Sequence, residues 1–205
     1  MTAQLSLDDM LTLDAEAADL LFREARTANT FSDVPVTEEQ ARAIFELAKM
    51  GPTAMNLQSL RVTWVRSPEA RARLVDCMGG NNKAKTSTAP LVAVLSADPN
   101  WHEHLPVTFA HAEGLKEAFD DQEETRTAMA RDNAFLAAGY FIMAVRAAGL
   151  AAGPMSGFDA AAVDAAFNAA TGHKAIMVVN IGRPGENPWF DRLPRLDWDD
   201  ATITV

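Results

Sequence analysis

Residues 91–96, Leu91-Val92-Ala93-Val94-Leu95-Ser96, form a short apolar run with β-branched Val92 and Val94 and read as a buried strand. Two more runs resemble it. Arg61-Val62-Thr63-Trp64-Val65-Arg66 reads as a strand before it, and Ala175-Ile176-Met177-Val178-Val179-Asn180-Ile181 as another buried strand after it. Helical signals lie between and around these runs. A first helix is expected over about residues 14 to 28, with Leu20, Leu21 and Phe22 among its apolar positions. Thr37 with Glu38, Glu39 and Gln40 fits a capping box, after which Ala41, Ile44, Phe45 and Ala48 recur at helical spacing until Gly51-Pro52 stops the helix. Ser67-Pro68 reads as an N-cap and first helical position. Residues 131–148 read as a long helix that is apolar nearly all round, the pattern of a helix covered on several sides, including by a second subunit. Asp159 caps a further helix through about Asn168. Helices alternating with short apolar strands give a mixed α and β class, layered around a sheet.

Two stretches read differently. Residues 99–125 hold three of the four histidines and many acids, and are expected to be a partly helical excursion at the surface. Residues 200–205, ending Thr202-Ile203-Thr204-Val205, read as a strand that needs an edge, which a second chain could provide. With no repeat and no linker, residues 1–205 read as one domain.

Composition excludes several classes. The chain has 205 residues, with 18 Lys plus Arg against 28 Asp plus Glu, a formal charge of −10. That balance disfavours broad nucleic-acid binding. Cys77 is the only cysteine, so no intrachain disulfide is possible. It reads as a thiol tucked beside Leu74 and Met78. The start, MTAQLSLDDM, lacks the basic and apolar segments of a secretory signal. The longest apolar stretch, Ala134 to Val145, is too short for a membrane span. A cytoplasmic location is expected.

Familiar catalytic motifs are missing. There is no GxGxxG and no GxxxxGK[ST]. In Gly153-Pro154-Met155-Ser156-Gly157 the serine stands one place too late for a hydrolase elbow. His102 and His104 could share a strand face toward a metal, but no cysteine, HExxH or fixed acidic partner accompanies them. They read as solvent-facing, and no metal is expected.

Four segments remain: Arg26-Thr27-Ala28-Asn29; Gly51-Pro52-Thr53-Ala54-Met55-Asn56-Leu57-Gln58; Asn81-Asn82-Lys83-Ala84-Lys85-Thr86; and Gly153 to Gly157 with Arg192-Leu193-Pro194-Arg195. Taken singly, each fits an ordinary turn, a solvated loop or a local ion pair. In this order they resemble the FMN-dependent nitroreductase family, from about Arg23 to Arg195. There an R-S-x-R run holds the FMN phosphate; Arg26-Thr27-Ala28-Asn29 matches it, with Asn29 in place of the second cation. P-S-x-x-N-x-Q near the flavin ring matches Pro52, Thr53, Asn56 and Gln58. The family's Asn and Lys near the ribityl chain and ring match Asn82 and Lys85. Its P-x-x-G loop over the flavin matches Pro154, Met155, Ser156 and Gly157, and its late phosphate-binding Arg matches Arg192.

The chemistry agrees with that resemblance. A phosphate dianion suits arginine forks, each charge-assisted hydrogen bond contributing about 1.5–3 kcal/mol. Amides such as Asn56 and Gln58 both donate and accept, as a pyrimidine edge requires. A cation at Lys85 near the flavin N1–O2 edge would raise the reduction potential. The resemblance implies a nitroreductase-like three-layer α/β (α+β) fold with a mixed central sheet flanked by helices, an intertwined homodimer building each flavin site from both chains, and NADH or NADPH as reductant. No side-chain nucleophile is implied. Gly149 to Asp159, Gly51-Pro52-Thr53, Leu105-Pro106 and Arg192 to Leu196 are similar to the branch that reduces malonic semialdehyde to 3-hydroxypropionate. A broad nitro or quinone reductase is the competing enzyme reading, and a non-catalytic binding module using residues 99–125 the competing class.

Overall fold

The computed structural model describes residues 10–205, so the opening stretch read above for a secretory signal lies outside the described residues but for Met10. Asp14 caps α1 (Ala15–Ala18), which widens into a π turn over Asp19–Arg23 and ends there. The first helix is therefore shorter than the expected 14 to 28. Residues beyond it are held in extended form, Ala28 N–H donating to Ala152 O at 3.1 Å. Helix α2 (Glu38–Ala48) has the expected capping box between Thr37 and Gln40. A 3₁₀ turn at Ala54–Asn56 leads into β1 (Leu60–Val65). Ser67 and Pro68 start α3 (Pro68–Cys77) as read. The next segment forms α4 (Asn82–Thr88) and not the solvated loop it resembles, and β2 (Leu91–Ala97) follows.

Residues 99–125 are indeed partly helical, with a 3₁₀ turn at Trp101–His104, α5 (Leu105–Thr108) and α6 (Leu115–Phe119). They are not wholly at the surface. Trp101, His102 and Leu105 are buried, and Trp101 Nε1 donates to Arg126 O at 3.0 Å while its ring meets Phe119 edge-on at 4.9 Å. Helix α7 (Glu123–Ala147) begins eight residues before Arg131, because its polar first turns do not follow an apolar period. Then come β3 (Ala151–Met155), α8 (Ala160–Val163) with a π turn through Asn168, β4 (Lys174–Gly182) and α9 (Trp198–Ala201). Among the described residues the strand expected over 200–205 does not form. Residues 200 and 201 end α9, and residues 202–205 pair with no described strand.

The sheet order is β1-β2-β4-β3, and every neighbouring pair is antiparallel, which corrects the expected mixed sheet. Between β1 and β2 the chain runs out and back along α3 and α4, returning to the end it left. Strand β2 is buried throughout. Its Leu91, Ala93 and Leu95 pack with α2 and α7 on one face, with Phe141, Ile44 and Val145. Its Val92 and Val94 pack with Leu74 of α3 and Val163 of α8 on the other. The result is the expected three-layer arrangement. Pro154 is tolerated within β3 because β3 is an edge strand, where a missing N–H breaks no ladder. Among the described residues, no helix is long and apolar enough to cross a membrane.

Candidate functional site

The candidate residues fall into two sets. The first gathers around β3. Arg26, Thr27, Arg192 and Arg195 line a cavity of about 170 Å³ together with Phe190 and Asp191. Arg192 Nη2 donates to the Arg23 and Ala25 carbonyls, the latter at 3.1 Å, so this late arginine pins the segment carrying Arg26. Arg26 Nε is buried without a hydrogen-bond partner, and an Nη stands 3.5 Å from Glu24. Each guanidinium has five N–H donors, so three forks beside one cavity leave donors free for an oxyanion.

Behind the cavity, Asn29 Oδ1 accepts from Lys85 Nζ at 2.6 Å, and that ammonium lies 5.9 Å from the Phe190 ring centroid. Asn82 Nδ2 donates to Gly157 O at 3.1 Å, and Gly79 N–H to the same carbonyl at 2.9 Å. These bonds tie the start of α4 to the end of Pro154-Met155-Ser156-Gly157. Packing here is close: a Cβ at Gly153 would lie 2.8 Å from Ala28 O. Next to Gly153, Asn180 is buried with its Oδ1 unpaired.

The second set is the loop entering β1. Pro52 follows Gly51, whose missing side chain leaves room for the Tyr140 ring of α7. Ala54 N–H donates to Asn133 Oδ1 of α7 at 2.8 Å. Thr53 Oγ1 accepts from Gln58 N–H at 3.2 Å, Gln58 Nε2 donates to Asn56 Oδ1 at 3.1 Å, and Asn56 Nδ2 donates to Thr108 O at 2.8 Å. Met55, Asn56 and Gln58 have φ of 49°, 50° and 47°. Three side-chain-bearing residues in the left-handed region within four positions store strain, which characterises functional loops. Thr53, Gln58, Lys49 and Arg61 border a cavity of about 80 Å³. Arg61 is already committed, to Asp98 at 2.7 Å and to the Gln58 carbonyl at 2.8 Å.

The structure brings each set together but does not join them. Ala28 sits against Ala152 at one edge strand, while Gln58 precedes Leu60 at the other. By the strand register these are diagonal corners, three strands across and about six residues along, or about 25 Å apart. Among the described residues no hydrogen bond or ion pair links the sets.

A third cluster lies outside both. His102 is buried, not solvent-facing, since it shares the excursion's anchor with Trp101. Its Nε2 stands 3.3 Å from Asp120 and 3.7 Å from Glu103. Lys116 Nζ lies among the same carboxylates, at 3.0 Å from Asp120 and 3.6 Å from Glu103. The ammonium holds the Asp120 carboxyl below its usual range, while burial pushes the His102 imidazole down.

Residues 22–183 match the family model described as the nitroreductase family. The chain belongs to that family. A Streptomyces coelicolor protein provisionally named NADH dehydrogenase/NAD(P)H nitroreductase is 56% identical over 195 residues, covering 95% of this chain and 99% of its own length. The fold is that of solved nitroreductases. A provisionally assigned nitroreductase from Bacillus subtilis superposes with a TM-score of 0.81 at 23% identity, over 93% of this chain and 99% of that one. Another from Exiguobacterium sibiricum, solved in complex with FMN, gives 0.77 at 19% identity, over 91% and 96%. Nitroreductases use FMN with NAD(P)H.

The residues present fit that cofactor. The three-arginine cavity with its orphaned Arg26 donor suits a phosphate dianion, and the β3 end beside Lys85 and Asn82 offers cation and amide contacts to the rest. Sequence reasoning missed Asn133, which holds the Pro52–Gln58 loop, and assigned no role to Arg195, although its spacing from Arg192 on a short exposed segment was legible.

Proposed function

We propose that this protein is an FMN-dependent oxidoreductase that moves hydride from NADH or NADPH to a small carbonyl acceptor, malonic semialdehyde being the acceptor that the sequence resemblance favours. The observation that carries the cofactor half is the convergence of Arg26, Arg192 and Arg195 on one cavity beside β3. When bound, FMN would supply the two-electron chemistry between the nicotinamide and the acceptor. The chain's own residues bind and orient. Arg26 and Arg192 would hold the phosphate, Thr27 would border it, and Asn82 with Pro154 to Gly157 would flank the ribityl and ring. Lys85 would set positive charge beside the ring. Asn56 and Gln58, with Pro52 and Thr53, present a preformed amide edge.

The diagonal separation of the two sets supports a homodimer in which Arg26 of one copy and Asn56 of the other meet at one flavin. Exposed Phe135, Leu136 and Tyr140 on α7 support the same assembly. Flat nitro or quinone acceptors are the second reading. It is favoured by Arg61, whose guanidinium is held by Asp98 and Gln58 and is not free for a substrate carboxylate.

The test is spectroscopic, then kinetic. The protein, mixed with FMN and desalted, should retain flavin absorbance that a reduced nicotinamide bleaches anaerobically. A colourless protein contradicts the proposal. A kcat/KM for 3-oxopropanoate above those for nitroaromatics and quinones supports the semialdehyde; the reverse order selects the second reading.

A further inference from the structure

We infer that Asn29 is a positioning residue that holds the Lys85 ammonium outside the arginine cavity, so that Lys85 serves the flavin ring and the phosphate is left to Arg26, Arg192 and Arg195. The inference rests on the FMN reading above and assigns Asn29 away from direct phosphate contact.

Three observations support it. First, the Asn29 amide is oriented. Its Nδ2 faces the Thr27 and Pro188 carbonyls, each at 3.4 Å, and its backbone N–H donates to Pro188 O at 3.0 Å. Acceptors on that side require the NH₂ there, so the carbonyl Oδ1 points the other way. Second, Oδ1 meets Lys85 Nζ at 2.6 Å, the short distance of a hydrogen bond to an ion. An amide oxygen is a poor neighbour for a phosphate oxygen and a good one for an ammonium. Third, Lys85 does not border the cavity that Arg26, Arg192 and Arg195 share. It stands beside Phe190, which forms one wall of it. Helix α4 carries Lys85 one turn beyond Asn82, and Asn82 is bonded to Gly157 at the end of the β3 segment. Lys85 is thus anchored at both ends of its reach, by Asn29 at the ammonium and by α4 at the backbone. Arg195, free of carboxylate partners within 4 Å among the described residues, adds the third cation to the cavity.

Parallel titrations with FMN and with riboflavin, which lacks the phosphate, test this through quenching of flavin fluorescence. Asn29→Ala and Lys85→Ala should each weaken both flavins by the same factor, about tenfold. The double variant should be no weaker than Lys85→Ala alone, because the two act as one unit. Arg195→Ala should weaken FMN and leave riboflavin unchanged. If Asn29→Ala does not fold, Lys85→Met carries the ring-versus-phosphate comparison. An Asn29 or Lys85 variant that weakens FMN alone overturns the inference, as does an additive double variant. Wild-type protein that binds neither flavin overturns instead the reading on which it rests.

Discussion

At the β3 corner of the sheet, polar groups are charged and partly unspent: Arg26 Nε is buried without a partner, and three guanidinium groups approach one cavity. In the loop at the β1 corner they are neutral and spent on one another, and the nearby Arg61 is spent on Asp98. Thr53, Asn56 and Gln58 bond to their own loop, to Thr108 and, through Ala54, to Asn133. The first corner waits for a counter-charge. The second is a shape fixed in advance, maintained against the strain of three left-handed residues. A charged corner is expected to bind whatever carries phosphate, and a preformed neutral corner to select the ring that follows it.

The sharpest way to break this contrast is to remove charge. Arg26→Ala with Arg192→Ala should lower FMN affinity at least about 100-fold, each lost ionic hydrogen bond being worth about 1.5–3 kcal/mol. Riboflavin affinity should barely change. Calorimetric titration with both flavins measures it.

Packing inside the β3 corner comes next. Gly153→Ala sets a methyl 2.8 Å from the Ala28 backbone carbonyl, which cannot swing away, and should destabilise the fold by about 1–3 kcal/mol in urea denaturation. Gly157→Ala meets only the movable Asn82 side chain at 2.7 Å and should cost less while releasing the Asn82 bond.

Acid should reach the β1 corner before the β3 corner. His102 is buried in the excursion whose Thr108 carbonyl holds Asn56, and burial depresses its imidazole from the ordinary value near 6.5. Below that value the unfolded chain takes up the proton first. Stability is therefore full above about pH 6.5 and falls as pH drops through the depressed folded value. His102→Gln should flatten the difference in denaturation midpoint between pH 7.5 and pH 5. An unchanged difference would assign the acid sensitivity elsewhere.

The smallest effect concerns strain. Gln58→Gly frees a residue at φ 47° and keeps the backbone N–H that Thr53 Oγ1 accepts, which should offset part of the lost side-chain bond to Asn56, leaving stability within about 1 kcal/mol of wild type while flavin affinity falls.

How much of this was legible in the chain depends on how local the determinant is. The capping box of α2, the Ser67-Pro68 start of α3 and the apolar runs of β2 and β4 are written in consecutive residues and formed as read. Helix α4 was not legible, because Asn82 to Thr88 is polar and Asn81 makes no capping bond. Strand β3 was hidden by Gly153 and Pro154, which read as a loop until the neighbour β4 supplies the only pairing they need. The burial of His102 depends on Trp101 finding Phe119 and Arg126 from distant turns. Strand direction was missed because it follows from how α3 and α4 pack. For the site, the identities of the segments could be read from their order along the chain. Their division between diagonal corners could not, since it is a property of the strand order β1-β2-β4-β3.

That division makes one measurement decisive. Arg26→Ala and the double variant Asn56→Ala/Gln58→Ala are each prepared, unfolded together and refolded as a mixture, and bound FMN is counted. If each flavin lies between Arg26 of one copy and Asn56 and Gln58 of another, mixed dimers contain one intact site and one doubly damaged site. The account predicts that tight FMN binding reappears in the mixture, at one flavin per mixed dimer, although neither parent retains it. A mixture that binds no more FMN than its parents would contradict it, because every site would then carry a defect from its own chain.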